Sequence, residues 1–446
     1  MRVSIIGAGY VGLVTGVCLA DKGHDVVCVD VDRSKVDRLT RAEAPIHEVG
    51  LGELLDLHAG KRFSATTDLA GAVRDSEVTF IAVGTPFDGA AIDLTYVVNA
   101  ARQVGAAMAE KSEHVVVVKS TVVPGTTDGV VREALEETSG RRAGEGFGLG
   151  VNPEFLTEGQ AVADFMNPDR IVVGGIDEPT LDTLSEVYAG FTDVPIVRTN
   201  NKSAEMIKYA SNALLATMIS FSNEFADLCT ALGGVDARDV MAGLHTSGYL
   251  TVIGSDGESK RAPIVSFLEA GCGFGGSCLP KDVSALIAHG ALNGVKMSVL
   301  QAVLDTNRDR PDRVLEGIRR EVRDLAGARV AVLGLAFKPD TDDVRESPAF
   351  PIIERLVTAG ADVTAYDPVA MDTARLVLGE TPVKYAASLE DAVTSADIIV
   401  IVTRWHEFER LPALLRKLER APFVFDGRRM LDENSVEWYG GIGRRG

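Results

Sequence analysis

The sequence predicts an α/β protein with two Rossmann-like parallel-sheet domains joined by a central region of long helices. Three observations predict it. Apolar β-rich runs alternate with helical patterns from residue 1 to about 198, residues 200–232 contain no proline or glycine, and a second alternating series begins at Val330. Continuous apolar strands separated by helices indicate a parallel sheet covered on both faces. A chain of 446 residues exceeds one ordinary core and suits two or three domains. We draw the boundaries at 1–198, 199–310 and 311–446.

In the first part the expected strands are Val3–Ile6, Val26–Val29, Val78–Val83, Val115–Val118, Gly148–Val151, Ile171–Val173 and Pro195–Val197. A single helix is expected over residues 200–232, stopped by Gly233-Gly234. Its apolar positions Ile207, Leu214, Met218, Phe221, Phe225 and Leu228 must be buried by its own domain or by a second subunit. Ser247 to Pro263 reads as a loop or small insertion. A second helical region is expected from Val283 to about Leu325, broken near Arg310-Pro311. The last part has strands at Val330–Leu333, Val363–Tyr366, Ile398–Val402 and Phe423–Phe425.

Composition excludes several classes. Lys and Arg number 45 against 64 Asp and Glu, so the formal charge is -19, which disfavours nucleic acid as the main partner. It does not exclude a small anionic substrate, because a local basic pocket can survive in an acidic protein. The apolar runs are too short to span a bilayer, no targeting segment is evident, and no membrane insertion is expected. Five scattered cysteines without metal spacing indicate a reducing cytoplasm. The seven histidines show no ligand spacing, so no metal site is expected.

Gly7-Ala8-Gly9-Tyr10-Val11-Gly12 follows the first strand and opens a helical pattern. Gly7 permits the tight turn, Gly9 lets a pyrophosphate approach, and Gly12 allows close helix packing. The helix N-terminus, beginning with Tyr10 and Val11, supplies amide donors. Asp30 ends the second strand, where an acid binds a ribose and favours NAD over NADP. Arg33 and Lys35 stand nearby and soften that preference. Val83-Gly84-Thr85-Pro86 and Lys119-Ser120-Thr121 end two further strands. Ligands of open parallel sheets gather at such ends, which brings Gly84, Thr85, Ser120 and Thr121 to the cofactor crevice.

Cys278 lies in Gly273-Phe274-Gly275-Gly276-Ser277-Cys278-Leu279-Pro280-Lys281-Asp282. The glycines admit close approach to the sulfur, and nearby positive charge favours the nucleophilic thiolate. Asn152-Pro153-Glu154-Phe155-Leu156-Thr157-Glu158-Gly159 offers two carboxylates for acid/base work or for ordering a substrate. Solvated surface acids are the alternative. Glu205, Lys208 and Asn212 share one helix face at i, i+3 and i+7. A lysine and an amide so placed suit a developing oxyanion, although charged helix faces are usually just solvated.

With these motifs in order, and with Leu335-Ala336-Phe337-Lys338-Pro339-Asp340-Thr341-Asp342-Asp343-Val344-Arg345-Glu346-Ser347-Pro348, the chain resembles the UDP-glucose/GDP-mannose dehydrogenase family nearly end to end. The resemblance implies a four-electron oxidation of a nucleotide-sugar C6 alcohol to an acid, with two NAD reduced in succession. It implies that Cys278 forms a thiohemiacetal and then a thioester, and that Lys208 and Asn212 steady the oxyanion. Asp282 with Thr121 is expected to activate water, and Glu154 and Glu158 to help with proton transfer. Lys338 and Arg428 are expected on the nucleotide-sugar, with Phe155, Leu156, Phe267, Phe274 and Gly275 completing its site. Arg345, Lys35 and Glu158 join the cofactor set, and the long helix builds a homodimer or larger homo-oligomer. The domains then read as NAD-binding, helical with the cysteine loop, and UDP-binding.

One region departs from the family pattern. A short Asp-x-Arg-Ile-Gly segment is replaced here by the longer His245 to Val265, in which Arg261 is the nearest counterpart to the family arginine. The residues before the glycine loop are also changed, to Gly271-Cys272. UDP-glucose leads as the sugar because Phe337 to Pro348 and Ala44-Pro45-Ile46 look most like that branch. GDP-mannose and UDP-N-acetylhexosamines stay open, and a two-electron hydroxyacid-type dehydrogenase is a further alternative.

Overall fold

The structure, a computed structural model, describes residues 1–89, 91–254 and 257–444. The chain divides into two compact units, residues 1–211 and 212–446.

The first unit is built on an eight-stranded sheet: β1 (Arg2–Ile6), β2 (Asp25–Val29), β3 (Phe63–Thr66), β4 (Val78–Ile81), β5 (Val115–Val118), β6 (Gly148–Val151), β7 (Ile171–Gly175) and β8 (Ile196–Thr199), in the order β3-β2-β1-β4-β5-β6-β7-β8. β1, β4 and β5 are almost wholly buried, because crossover helices cover both faces of a parallel sheet. α1 (Tyr10–Asp21) buries nine consecutive residues, Gly12 to Ala20, between the sheet and the helices Leu51–His58 and Ala161–Met166. Two departures from the sequence reading are evident. β3 was not anticipated, because Phe-Ser-Ala-Thr is short and only Phe63 is buried. The β6–β7 pair is antiparallel. After β6 the chain turns through Asn152–Gly159 and the one short helix Ala161–Met166, so it re-enters the sheet without a covering crossover.

In the second unit a six-stranded sheet, wholly parallel, is formed by β11 (Arg329–Leu333), β12 (Asp362–Tyr366), β13 (Val383–Tyr385), β14 (Ile398–Ile401), β15 (Phe423–Asp426) and β16 (Tyr439–Gly441). Its order, β13-β12-β11-β14-β15-β16, repeats the arrangement of the first six strands of the other sheet. Before it comes a small hairpin, β9 (Thr251–Ile253) with β10 (Ser259–Arg261), in the segment read as an insertion. Ser255 and Asp256 of that segment lie outside the described residues.

The long helix is α2 (Asn201–Leu232), one residue from its expected start. α3 (Ala237–His245), α4 (Leu279–Leu292) and α5 (Ser298–Glu321) follow. The break expected at Arg310-Pro311 is absent. α5 runs straight through Pro311, and the chain instead breaks between Leu292 and Ser298, where Gly294 takes a φ of +73°. Proline inside a helix removes one hydrogen bond. Here Leu300, Val303, Val314, Leu315 and Ile318 are buried along the same helix, and their burial outweighs that loss.

Candidate active site

In the first unit the β1–α1 turn has the form its sequence dictates. Gly7 has a φ of +104° and donates its N–H to the Val29 carbonyl at 2.7 Å. A Cβ on Gly12 would overlap the Gly7 carbonyl oxygen, so only glycine fits there. Apart from the adjoining chain, no protein atom lies within 4 Å of where a Cβ on Gly9 would stand. The backbone is therefore bare at the position where a pyrophosphate must approach, and the donor set fits a dinucleotide.

Asp30 accepts from the Ala8 N–H at 3.0 Å, the Asp32 N–H at 3.0 Å and Lys35 Nζ at 2.9 Å. Burial pushes its carboxyl up, but the hydrogen bonds from Asp32, Lys35 and Ala8 outweigh burial and hold it below the usual range. Lys35 is thus tied to the acid. Gly84, Thr85, Ser120 and Thr121 sit at the ends of β4 and β5. Thr85 Oγ1 donates to the Thr121 carbonyl at 2.9 Å and Ser120 Oγ to the Val83 carbonyl at 2.6 Å, stitching the two strand ends together.

Glu154 and Lys208 form a buried ion pair at 2.9 Å, their side chains 7% and 5% exposed. The Leu156 N–H also donates to Glu154, at 2.7 Å. Burial acts to raise the Glu154 carboxyl; Lys208, the Leu156 N–H and Lys119 more than reverse it, so Glu154 stays ionised. Lys119 donates to Asn152 Oδ1 at 2.7 Å, and burial, aided by Lys208, brings it down to about 8. Arg170 lies over the Phe155 ring at 4.3 Å. Leu156 and Glu158 are half-buried.

Glu205 faces elsewhere. It accepts from the Gly125 N–H at 2.6 Å and the Thr127 N–H at 2.9 Å, so it anchors a turn. Glu48 was not singled out from the sequence. It accepts from the Tyr10 hydroxyl and from the Gly159 N–H at 2.8 Å, and the same N–H donates to Tyr10 at 2.7 Å. This junction pins the start of α1 to the end of the carboxylate loop. Its only sequence signal is a lone acid just before a Gly-Leu helix start.

In the second unit Cys278 is exposed and stands at the N-terminus of α4. The partial positive charge at a helix N-terminus favours a thiolate. One turn on, Asp282 is 1% exposed. Asn212 Nδ2 donates to it at 2.6 Å and Lys281 Nζ at 2.7 Å. Gly273 and Gly276 have φ of +104° and +81°. A Cβ on Gly275 would overlap the Glu346 carbonyl, and one on Gly276 would stand 2.8 Å from the Phe337 ring. The loop is held by Asn307, whose Oδ1 accepts from the Phe274 N–H at 2.8 Å, and by Asn223, whose Oδ1 accepts from the Gly271 N–H at 2.8 Å. Buried Arg310 donates to the Gly271 carbonyl at 3.3 Å and to Asp227 at 2.8 Å. None of these three supports was anticipated.

Beside the cysteine loop lies a cavity of about 270 Å³, and Phe267, Phe274, Gly275, Lys338 and Arg428 all line it, with Leu279 next to the thiol. Arg404, also unanticipated, lines it too; it pairs with Glu269 at 3.0 Å and donates to the Arg428 carbonyl at 2.7 Å. Arg345 is exposed and paired with Asp343 at 2.7 Å, while its carbonyl accepts from the Gly276 N–H at 2.8 Å. Among the described residues no helix is long and apolar enough to cross a membrane.

Three models of one family match the chain. They are the NAD-binding domain of the UDP-glucose/GDP-mannose dehydrogenase family over residues 1–192, its central domain over 202–309, and its UDP-binding domain over 331–433. A UDP-glucose 6-dehydrogenase of Haloferax volcanii is 45% identical over 437 residues, covering 97% of each chain. A UDP-glucose dehydrogenase structure from the hyperthermophilic archaeon Pyrobaculum islandicum superposes with a TM-score of 0.89 at 40% identity, covering 99% of this chain and 98% of that one. A UDP-D-ManNAc dehydrogenase structure from Pyrococcus horikoshii gives 0.85 at 28% identity, covering 100% and 99%.

Proposed function

Since the chain belongs to the UDP-glucose/GDP-mannose dehydrogenase family, we propose that it converts UDP-glucose, two NAD and one water to UDP-glucuronate and two NADH, with release of protons. The identity to UDP-glucose dehydrogenases, 45% and 40%, against 28% to the UDP-D-ManNAc enzyme, favours glucose as the sugar. The observation that carries the reading is Cys278, an exposed thiol at a helix N-terminus with buried Asp282 one turn on.

NAD supplies the hydride acceptor at each oxidation. The chain's own groups do the rest. Gly9 leaves the backbone open to the pyrophosphate, and Asp30 receives the ribose. An ionised Glu154, with Glu158 near it in sequence, takes the alcohol proton directly or through water. Cys278 then attacks the aldehyde carbon, its S–C bond forming as the carbonyl becomes a thiohemiacetal hydroxyl, so the half-oxidised sugar is not lost. Hydride loss from that carbon leaves a thioester. Lys208 and Asn212 stabilise negative charge on its oxygen. Asp282, with Thr121, steers the water that cleaves the C–S bond, and the thiol regains its proton.

The cavity of Lys338, Arg428 and Phe267 is the nucleotide cradle in this reading. Residues 1–198, 199–310 and 311–446 then divide the tasks of cofactor binding, covalent chemistry and nucleotide binding. Leu214, Phe221, Phe225, Leu228 and Leu232 are all exposed along α2, 39% or more, and recur at near-heptad spacing. We assign that stripe to a homodimer contact. Free thiols at all five cysteines suit a reducing cytoplasm.

A panel of nucleotide sugars with NAD, followed at the NADH absorbance, tests the reading. UDP-glucose should give two NADH per sugar and the highest kcat/KM. Cys278→Ser should yield no acid at a significant rate. One NADH per sugar, or normal acid formation by Cys278→Ser, would refute the thioester route.

A further inference from the structure

We propose that a second cavity in residues 212–446 binds a nucleoside phosphate and acts on the neighbouring nucleotide cradle. It holds about 400 Å³, within the range of small-ligand sites. One wall is a face of α3 bearing Arg238, Met241 and His245. The others are Arg261, which ends β10, and the segments that follow β14 and β15. Ligands of doubly wound sheets bind outside the carboxyl ends of the strands, and this cavity lies there.

Its charge is opposite to that of the chain. Arg238, Arg261, Arg404, Arg428 and Arg429 line it against two carboxylates, Glu269 and Glu409, an excess of positive charge in a protein of net charge -19. Three of the arginines are engaged, Arg429 with Asp236 at 2.6 Å, Arg404 with Glu269 at 3.0 Å and Arg428 with the Val402 carbonyl at 2.5 Å. Arg238 and Arg261 are exposed, and among the described residues no ion pair holds either guanidinium. Guanidinium forks recognise phosphate oxygens in pairs. Among the other lining residues are buried Ala237, Met241 and Ile442 and half-buried Met430. Guanidinium groups together with two polarisable thioethers suit a phosphate and a planar base in one cavity.

The two cavities share Arg404, Arg428, Glu269 and Ala270. Arg404 is the link, since it holds both Glu269 and the Arg428 carbonyl. An anion that draws Arg404 from Glu269 alters the wall of the cradle, and coupling of this kind is reciprocal. The second cavity is thus a place for a regulatory nucleotide. The inference rests on the reading above only for what fills the first cavity.

Equilibrium dialysis with UDP, and in parallel with ATP, under saturating NADH tests it on the full chain. Wild type should bind two equivalents of at least one nucleotide per chain. Lys338→Ala should lose one. An Arg238→Gln/Arg261→Gln protein should lose the other, with affinity at least ten-fold weaker, and Arg238→Gln alone should keep normal turnover without added nucleotide. If wild type binds one equivalent that Lys338→Ala removes, the second cavity fails and the cradle stands. If the one equivalent is lost only in the arginine variant, the second site stands and the cradle assignment fails. A double variant that still binds two equivalents also overturns the proposal.

Discussion

Asn212 donates its side-chain amide to Asp282 at 2.6 Å, and both side chains are buried. The other oxygen of the carboxylate takes Lys281 at 2.7 Å. An acid fixed on both oxygens has its orientation set before any substrate arrives, and water that it aligns is aligned repeatedly.

Asp282→Asn keeps the shape and removes the charge. Its kcat should fall by about 10²–10⁴, while stability falls by about 1–3 kcal/mol from the mispaired amide of Asn212. If the hydrolysis step is the one affected, intact-protein mass measured during turnover should show the sugar acyl group retained on Cys278. Equal kcat in wild type and variant would remove Asp282 from the mechanism.

The Asp30–Lys35 pair bears on cofactor choice. A carboxylate held below its usual range repels a 2′-phosphate, and it also occupies the lysine that could receive one. In Asp30→Asn the ratio of kcat/KM for NAD to that for NADP should drop by about thirty-fold, roughly 2 kcal/mol. Initial rates with both cofactors measure it, and an unchanged ratio would show that the acid does not discriminate.

Glu205 predicts a pH dependence. Burial, partly offset by the Thr127 and Gly125 N–H groups, raises its carboxyl from 4.5 to about 7. The folded state therefore holds this proton more tightly than the unfolded state. The resulting contribution is fully present below pH 4.5 and is lost as pH rises through 7, by about 3 kcal/mol at most. In Glu205→Gln, urea midpoints between pH 4.5 and 7 should lose that downward slope. A slope equal to that of wild type would place its origin elsewhere.

The apolar stripe of α2 predicts assembly. The Phe221 and Phe225 rings meet at 4.7 Å between centroids, tilted by 42°, yet stay exposed. Sedimentation of wild type at micromolar concentration should give a dimer or larger species. Phe221→Asp with Leu228→Asp should shift it toward the monomer, because two charges would lose their hydration in an apolar contact. A monomeric wild type would leave the stripe without this role.

The glycine turn at Gly7–Gly12, the strand-end acid Asp30 and the cysteine loop were readable because each depends on backbone demands that few residues meet. The wholly buried strands were readable for a similar reason, since a run such as Val115–Val118 has few other places to go. Strands β3, β13 and β16 were not, being four residues or fewer with mixed burial. Pro311 misled because local propensity yields to packing along a long, well-buried helix. Asn223, Asn307, Arg310 and Arg404 gave no signal and Glu48 only a faint one, as single polar residues whose partners stand far away in sequence.

The amino-acid order by itself determined the two doubly wound sheets, the long helix and the glycine-rich form of the thiol loop, since periodicity and glycine placement act over short stretches of chain. Only the folded structure decided which polar groups pair with one another and which anchor the backbone. Glu154 pairs with Lys208 while Glu205 on the same helix anchors a turn, and Asp282 is locked by Asn212 from seventy residues away. A buried charge must find its partner in space, and sequence spacing does not record where that partner will be.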